Sequence, residues 1–144
     1  MTTSDDLTTL LHTHRIGHLA TADRDAIPHV IPVCFAYDGQ GIYSALDHKP
    51  KRHTGYRMKR IRNIVDNPRV AFLVHHYEDD WQRLYYVLIR GPASLLERGD
   101  EHQHALTLLE QKYRQYQERQ LARSDGLVIK IVPETITRWG GEGT

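Results

Sequence analysis

Hydrophobic positions recur along the chain with two periods, and the switch from one period to the other marks out the elements. Leu7, Leu10, Leu11 and His14 fall on one helical face behind Ser4, a good N-cap, so a short amphipathic helix is expected to end near His14. Residues 16–22 read as a short strand, residues 23–26 supply turn chemistry, and residues 28–37 read as a second strand. Along that strand Ile31, Val33, Phe35 and Tyr37 share one face, and Val30, Cys34 and Ala36 share the other. Pro28 and Pro32 cannot donate to a ladder, which puts the strand at an edge or makes it irregular where they sit. Asp38-Gly39 is a hairpin signal leading into a strand over residues 42–45.

Residues 48–54 are polar and Pro50 disfavours helix at Lys49, so a loop is expected there. From about residue 55 to 66 the apolar residues Met58, Ile61, Ile64 and Val65 recur at helical spacing until Asn67-Pro68 stops the helix. Residues 69–77 alternate, with Val70, Phe72 and Val74 against Ala71, Leu73 and His75, and form a strand. After a turn at 78–80, another strand covers 84–90, bends at Gly91-Pro92 and continues over 93–97 past a bulge. Residues 100 to about 123 predict one long surface helix, with Ala105, Leu108, Leu109, Lys112 and Tyr116 on one side. Residues 127–132 are a last strand and residues 135–141 a tail. About six strands, several joined by hairpin-length turns, favour a mainly β antiparallel barrel with helical decorations over a parallel α/β sheet.

Charge changes this picture at one place. Between His48 and Val65 stand seven basic residues (Lys49, Lys51, Arg52, Arg57, Lys59, Arg60 and Arg62) and no acidic one. The whole chain carries a formal charge of only +1, so the concentration is local and something anionic is expected to meet it. A solvated helix face is the bland alternative, but such a face normally carries acidic i,i+4 partners, and this one has none. An anion site built from a loop, a helix start and several cations is therefore the preferred reading.

The remaining composition mostly excludes. The length of 144 residues suits one domain spanning 1–144, and the single cysteine rules out an internal disulfide framework. With no signal-peptide pattern and no apolar run of roughly 20 residues, a soluble cytoplasmic domain without membrane contact is expected. The ten histidines show no HExxH and no Cys/His quartet, so scattered surface histidines are expected and no metal site. Cys34 lies in an apolar strand, and neither GxSxG, GxGxxG nor the Walker pattern occurs. A nucleic-acid-binding module on the basic helix is disfavoured by the near-neutral total charge and the lack of a reading motif. Trp81 and Trp139 lie in a turn and a tail, where a ring-stacking or interface role competes with core packing.

The order of these segments resembles the pyridoxamine 5′-phosphate oxidase-like split barrels, and within them the short branch of coenzyme F420-dependent oxidoreductases. The resemblance rests on LATAD at 19–23, PHVIPVCFAYDG at 28–39, IYSALDHKPKR at 42–52, RIRNIVDNPRVAFLV at 60–74, HYEDDW at 76–81 and the terminal ITRW. It implies a six-stranded split barrel of the FMN-binding type that forms a homodimer, with cofactor sites at the interface. On the matching positions, Ser44, Lys49, Lys51, Arg57, Lys59 and Arg60 would hold the cofactor phosphate. The ring would lie on backbone around Val30, Ile31, Pro32 and Val33, Trp81 joins the site, and Trp139 of a partner chain would cover it. The implied activity is hydride transfer to an unidentified small conjugated substrate, with coenzyme F420 as cofactor and FMN as the alternative. A non-catalytic cofactor carrier would use the same residues. No catalytic dyad is then needed, because the cofactor supplies the hydride chemistry.

Overall fold

In the computed structural model, residues 3–46 and 56–141 are described, with the side chains of residues 3–5 left aside. Lys49, Lys51, Arg52 and the expected loop at 48–54 therefore lie outside the described residues, while Ser4, expected as an N-cap, stands inside a helix that already begins at Thr3. Helix α1 (Thr3–Thr13) precedes strands β1 (Gly17–Ala22), β2 (Pro28–Val33), β3 (Ala36–Tyr37) and β4 (Ile42–Ala45). Helix α2 (Lys59–Asp66) leads into β5 (Arg69–His76), and a 3-10 turn at Trp81–Arg83 connects it to β6 (Tyr85–Leu96). Helices α3 (Asp100–Lys112) and α4 (Arg114–Glu118), a second 3-10 turn, β7 (Val128–Ile131) and β8 (Thr135–Gly140) complete the described chain.

All pairings are antiparallel, in the order β2-β1-β5-β6-β7-β4-β3, with β8 added beside β6. The 12-residue β6 is the axis of this curled sheet. Its first half lies between β5 and β8, while Ala93 to Leu96 turn to β7. The change of partner falls at Gly91-Pro92, the expected bend, and the strand runs through it without interruption. Gly91 is required there: a Cβ would stand 2.0 Å from the Val132 carbonyl oxygen.

Strands number eight among the described residues rather than six, for two physical reasons. The expected strand over 28–37 breaks at Cys34-Phe35, because the Phe35 amide donates to the Tyr113 hydroxyl at 2.9 Å instead of to a ladder. The expected tail is β8, whose apolar and aromatic side chains pair with β6 residue for residue, Trp139 opposite Tyr86. The long helix expected over 100–123 is likewise broken at Tyr113, which is extended (φ −118°, ψ 122°). Its hydroxyl reaches the carbonyls of Arg15 and Phe35 at 2.9 Å, so a tertiary anchor overrides helix propensity. The edge position expected from Pro28 and Pro32 holds, since among the described residues β2 pairs only with β1.

The core forms two clusters. Leu19, Phe35, Ile42, Phe72, Val74, Ile89 and Ile129 fill the barrel, and Ile61 and Ile64 bring α2 against it. Tyr43, Ala45 and Val128 look outward from β4 and β7 and bury Ala105, Leu106 and Leu109 of α3. No helix among the described residues is long and apolar enough to cross a membrane.

Candidate functional site

Helix α2 brings the described part of the basic segment to the barrel. Its first turn carries no acidic residue, its N-cap Met58 makes no side-chain cap, and Lys59 and Arg60 open it just after the exposed Arg57. A helix start that carries cations and no acidic residue favours an anion. The helix is pinned inside by Asn63, buried at 1 %, whose amide donates to Thr21 Oγ1 at 2.9 Å. Val65, expected on the apolar face, is 60 % exposed, because Asn63 and Thr21 take the place facing β1.

Ser44 is buried at 4 %. By strand alternation it faces the side of Ile42, hence the same cluster that holds Ile61 and Ile64 of α2 and Val33 of β2. Three of the expected contributors, β2, β4 and α2, thus face one barrel core, with α2 itself packed on β1 and β6. Ile31 and Val33 point into that core, while Val30 and Pro32 point outward and Val30 is 63 % exposed. The unpaired edge of β2 leaves backbone groups open there, which suits a flat ring held by main chain.

Two acidic groups meet this region, Asp66 at the end of the helix and Asp23 from outside it. Asp23, in the turn after β1, lies 3.6 Å from Lys59, and Arg24 lies 3.2 Å from Asp66. Asp23 also accepts the amides of Ile27 and Asp25 at 3.0 and 2.9 Å, and the Ile27 bond leads in holding its carboxyl below the ordinary value. Part of the positive segment is therefore neutralised within the chain. Two adjoining hollows of about 220 and 300 Å3 share Arg24, Arg62 and Asp66.

Neither tryptophan joins this region within one chain. Trp81 is 71 % exposed in its 3-10 turn, with Nε1 donating to the Tyr77 hydroxyl at 3.4 Å. Trp139 stacks on Tyr86, ring centroids 5.7 Å apart and planes 17° from parallel. Between β2 and β8 lie β1, β5 and β6, so Trp139 is four strand spacings, roughly 19 Å measured along the curled sheet, from the line of Val30.

A second cluster escaped the sequence reading. His76 and Tyr85 are opposed across β5 and β6, their rings stacked at 5.5 Å. His76 Nε2–H donates to Glu78 at 2.7 Å, and Arg83 Nε lies 3.2 Å from the same oxygen. On the far side the Tyr85 hydroxyl is hydrogen-bonded to His14 Nε2 at 2.7 Å. Burial, followed by the nearby His76, His75 and Lys112, pushes the His14 pKa down. A cleft of about 400 Å3 opens onto His76, Glu78, Arg83 and Tyr85. The expectation of scattered surface histidines fails here and at His102, which is buried at 5 % and donates to the Gly126 carbonyl at 2.7 Å. The usable signal was positional: His76 and Tyr85 flank a short connection at matching distances from its turn. Among the described residues no group of three or more His, Cys, Asp or Glu side chains is placed to hold a metal ion.

Comparison with known proteins agrees with this architecture. The family model described as pyridoxamine 5′-phosphate oxidase matches residues 3–138. The chain belongs to that family. A 5a,11a-dehydrotetracycline/5a,11a-dehydrooxytetracycline reductase of Streptomyces rimosus is 30% identical over 136 residues, covering 94% of this chain and 81% of that protein. A conserved hypothetical protein of Mycobacterium tuberculosis superposes with a TM-score of 0.76 at 19% identity, over 97% of this chain and 86% of that one. An FAD-binding protein of Mesorhizobium loti superposes with a TM-score of 0.66 at 21% identity, over 96% of this chain and 94% of that one. These superpositions establish the split-barrel fold of the pyridoxamine 5′-phosphate oxidase family for this chain.

Proposed function

We propose that the chain is an oxidoreductase that reduces a small conjugated compound with a hydride from a flavin-type cofactor, coenzyme F420 by first choice and FMN as the alternative. The observation that carries this reading is the first turn of α2, which holds Lys59, Arg60 and Arg62 with no acidic residue and no side-chain cap. The helix packs on the core that Val33 of the edge strand β2 shares, and Ser44 is buried on β4. That arrangement fits a phosphate-bearing planar cofactor: Arg57, Lys59, Arg60 and Ser44 would hold the phosphate, and the backbone of Val30 to Val33 would face the ring. When bound, the cofactor supplies the hydride; the chain binds it, orients it and excludes water. The likeness to a reductase over nearly the full chain supports the reaction class.

The position of Trp139 favours a homodimer. Four strands from Val30 in its own chain, it can cover a ring at β2 only in a second copy. In this reading residues 1–144 act as one cofactor-binding unit, duplicated by self-association.

Side-by-side fluorescence titration of the purified protein with FMN and coenzyme F420 tests the proposal. One of them is expected to bind saturably, and the double variant Lys59→Ala plus Arg60→Ala to weaken that binding at least tenfold. Saturable binding of neither cofactor overturns the reading.

A further inference from the structure

We propose that the cleft walled by His76, Glu78, Arg83 and Tyr85 receives the conjugated carbonyl compound to be reduced, and that His76 gives it its proton. The assignment rests on the oxidoreductase reading above. Hydride addition to the outer carbon of a C=C–C=O unit breaks the C=C π bond and leaves an enolate. The hydride brings both electrons and one hydrogen from the reduced flavin-type cofactor. The second hydrogen has to arrive as a proton, and the sequence offered no acid for it.

The cleft supplies one. The His76 ring is fixed twice, by its 2.7 Å bond to Glu78 and by the Tyr85 ring stacked at 5.5 Å. Glu78 holds Nε2 in place, and Arg83 beside it balances the carboxylate. Other charged or titratable groups near this point are His14 from α1, through the Tyr85 hydroxyl, with His75 of β5 and Lys112 of α3 close to it, and Arg138 from β8 beside Tyr85. Proton transfer from His76 Nδ1 to the enolate carbon leaves a neutral imidazole still bonded to Glu78 through Nε2–H. The half-buried ring then regains its proton from solvent. The exposed guanidinium of Arg83 can hold the developing enolate oxygen.

Size and place agree. About 400 Å3 is within the range of small-molecule sites, and the Tyr85 ring in its wall suits a planar ligand. His18 pairs with Pro32 on one side and Leu73 on the other. The C-terminal ends of β2 and β5 therefore lie at the same end of the sheet, two strand spacings or roughly 10 Å apart across it, with His76 three residues beyond Leu73.

The test uses the full chain without cofactor, labelled with 15N-histidine, and tetracycline as a planar, enolised probe. The His76 ring resonances are expected to move saturably on adding the probe. With the cofactor that binds, His76→Gln is expected to lower kcat for 5a,11a-dehydrotetracycline by roughly 10²-fold and to flatten its pH profile. The cofactor affinity of this variant stays unchanged. Normal cofactor binding with unmoved His76 resonances, or with His76→Gln at full kcat, overturns the assignment and leaves the oxidoreductase reading standing. Failure of either cofactor to bind the wild-type chain removes that reading, and this assignment with it.

Discussion

Lys112 Nζ stands 3.8 Å from the centre of the Phe35 ring and donates to the Phe35 carbonyl at 2.9 Å. A further bond to the Leu11 carbonyl at 3.3 Å makes this one ammonium the joint between α1, the β2–β3 break and the end of α3. Burial, followed by the charge of Arg15, brings its pKa down to about 8 from 10.5. Between those values the unfolded chain binds the proton that the folded chain has lost, so this group's contribution to stability rises with pH. Thermal unfolding from pH 7 to 9.5 is expected to show a relative gain for the wild type that Lys112→Met lacks. Parallel curves for the two proteins would show that the ammonium is not desolvated as described.

The Asn63–Thr21 bond is the polar pin of α2. Asn63→Ala leaves a buried hydroxyl without its donor and is expected to cost about 1–3 kcal/mol in urea unfolding. Thr21→Val alone should cost a similar amount, and the double variant less than the sum of the two. Cofactor affinity is expected to fall in all three, because Lys59 and Arg60 ride on the same helix.

Gly91→Ala tests the crossing point of β6. A methyl group 2.0 Å from the Val132 carbonyl forces backbone apart rather than a side chain aside. The expected loss is about 3 kcal/mol, at the upper end for overpacking, with a matching fall in Tm. Gly126→Ala, where a Cβ meets nothing within 4 Å, serves as the control and is expected to change little.

Trp139→Ala separates stacking from covering. The lost stack on Tyr86 accounts for about 0.5–1.5 kcal/mol of stability. If Trp139 covers a cofactor ring in the partner, the dissociation constant for that cofactor rises about tenfold as well. Sedimentation equilibrium on the same samples reports whether the dimer persists. An unchanged dissociation constant confines Trp139 to the fold.

Local pattern carried the elements that bury one face against a single neighbour. β1, β5 and α1 needed only alternation or helical spacing, and Pro28 with Pro32 announced an edge. The misses occurred where a distant side chain decides. Tyr113 breaks two elements at once, interrupting its own helix and drawing Phe35 out of a strand, and its partners lie 78 and 98 residues away. Lys112 on an otherwise apolar helix face was the visible trace of that anchor. The candidate site was half legible. The basic segment stood out by its charge, but its pairing of Lys59 with Asp23 and of Asp66 with Arg24 arises only through folding. His76 and Tyr85 form a pair only once the β5–β6 register is known.

The position of β6 also sets the order in which the molecule can be finished. It is the central strand, yet two of its three neighbours, β7 and β8, follow it in the chain. While a ribosome is still making residues 97–127, β5 is the one partner available to β6, and a twelve-residue apolar edge stands open. The growing chain is most exposed to wrong pairing during that interval. The turn-rich, charged segment of α3 and α4 is synthesised within it, so its solubility protects the nascent sheet as well as the finished one.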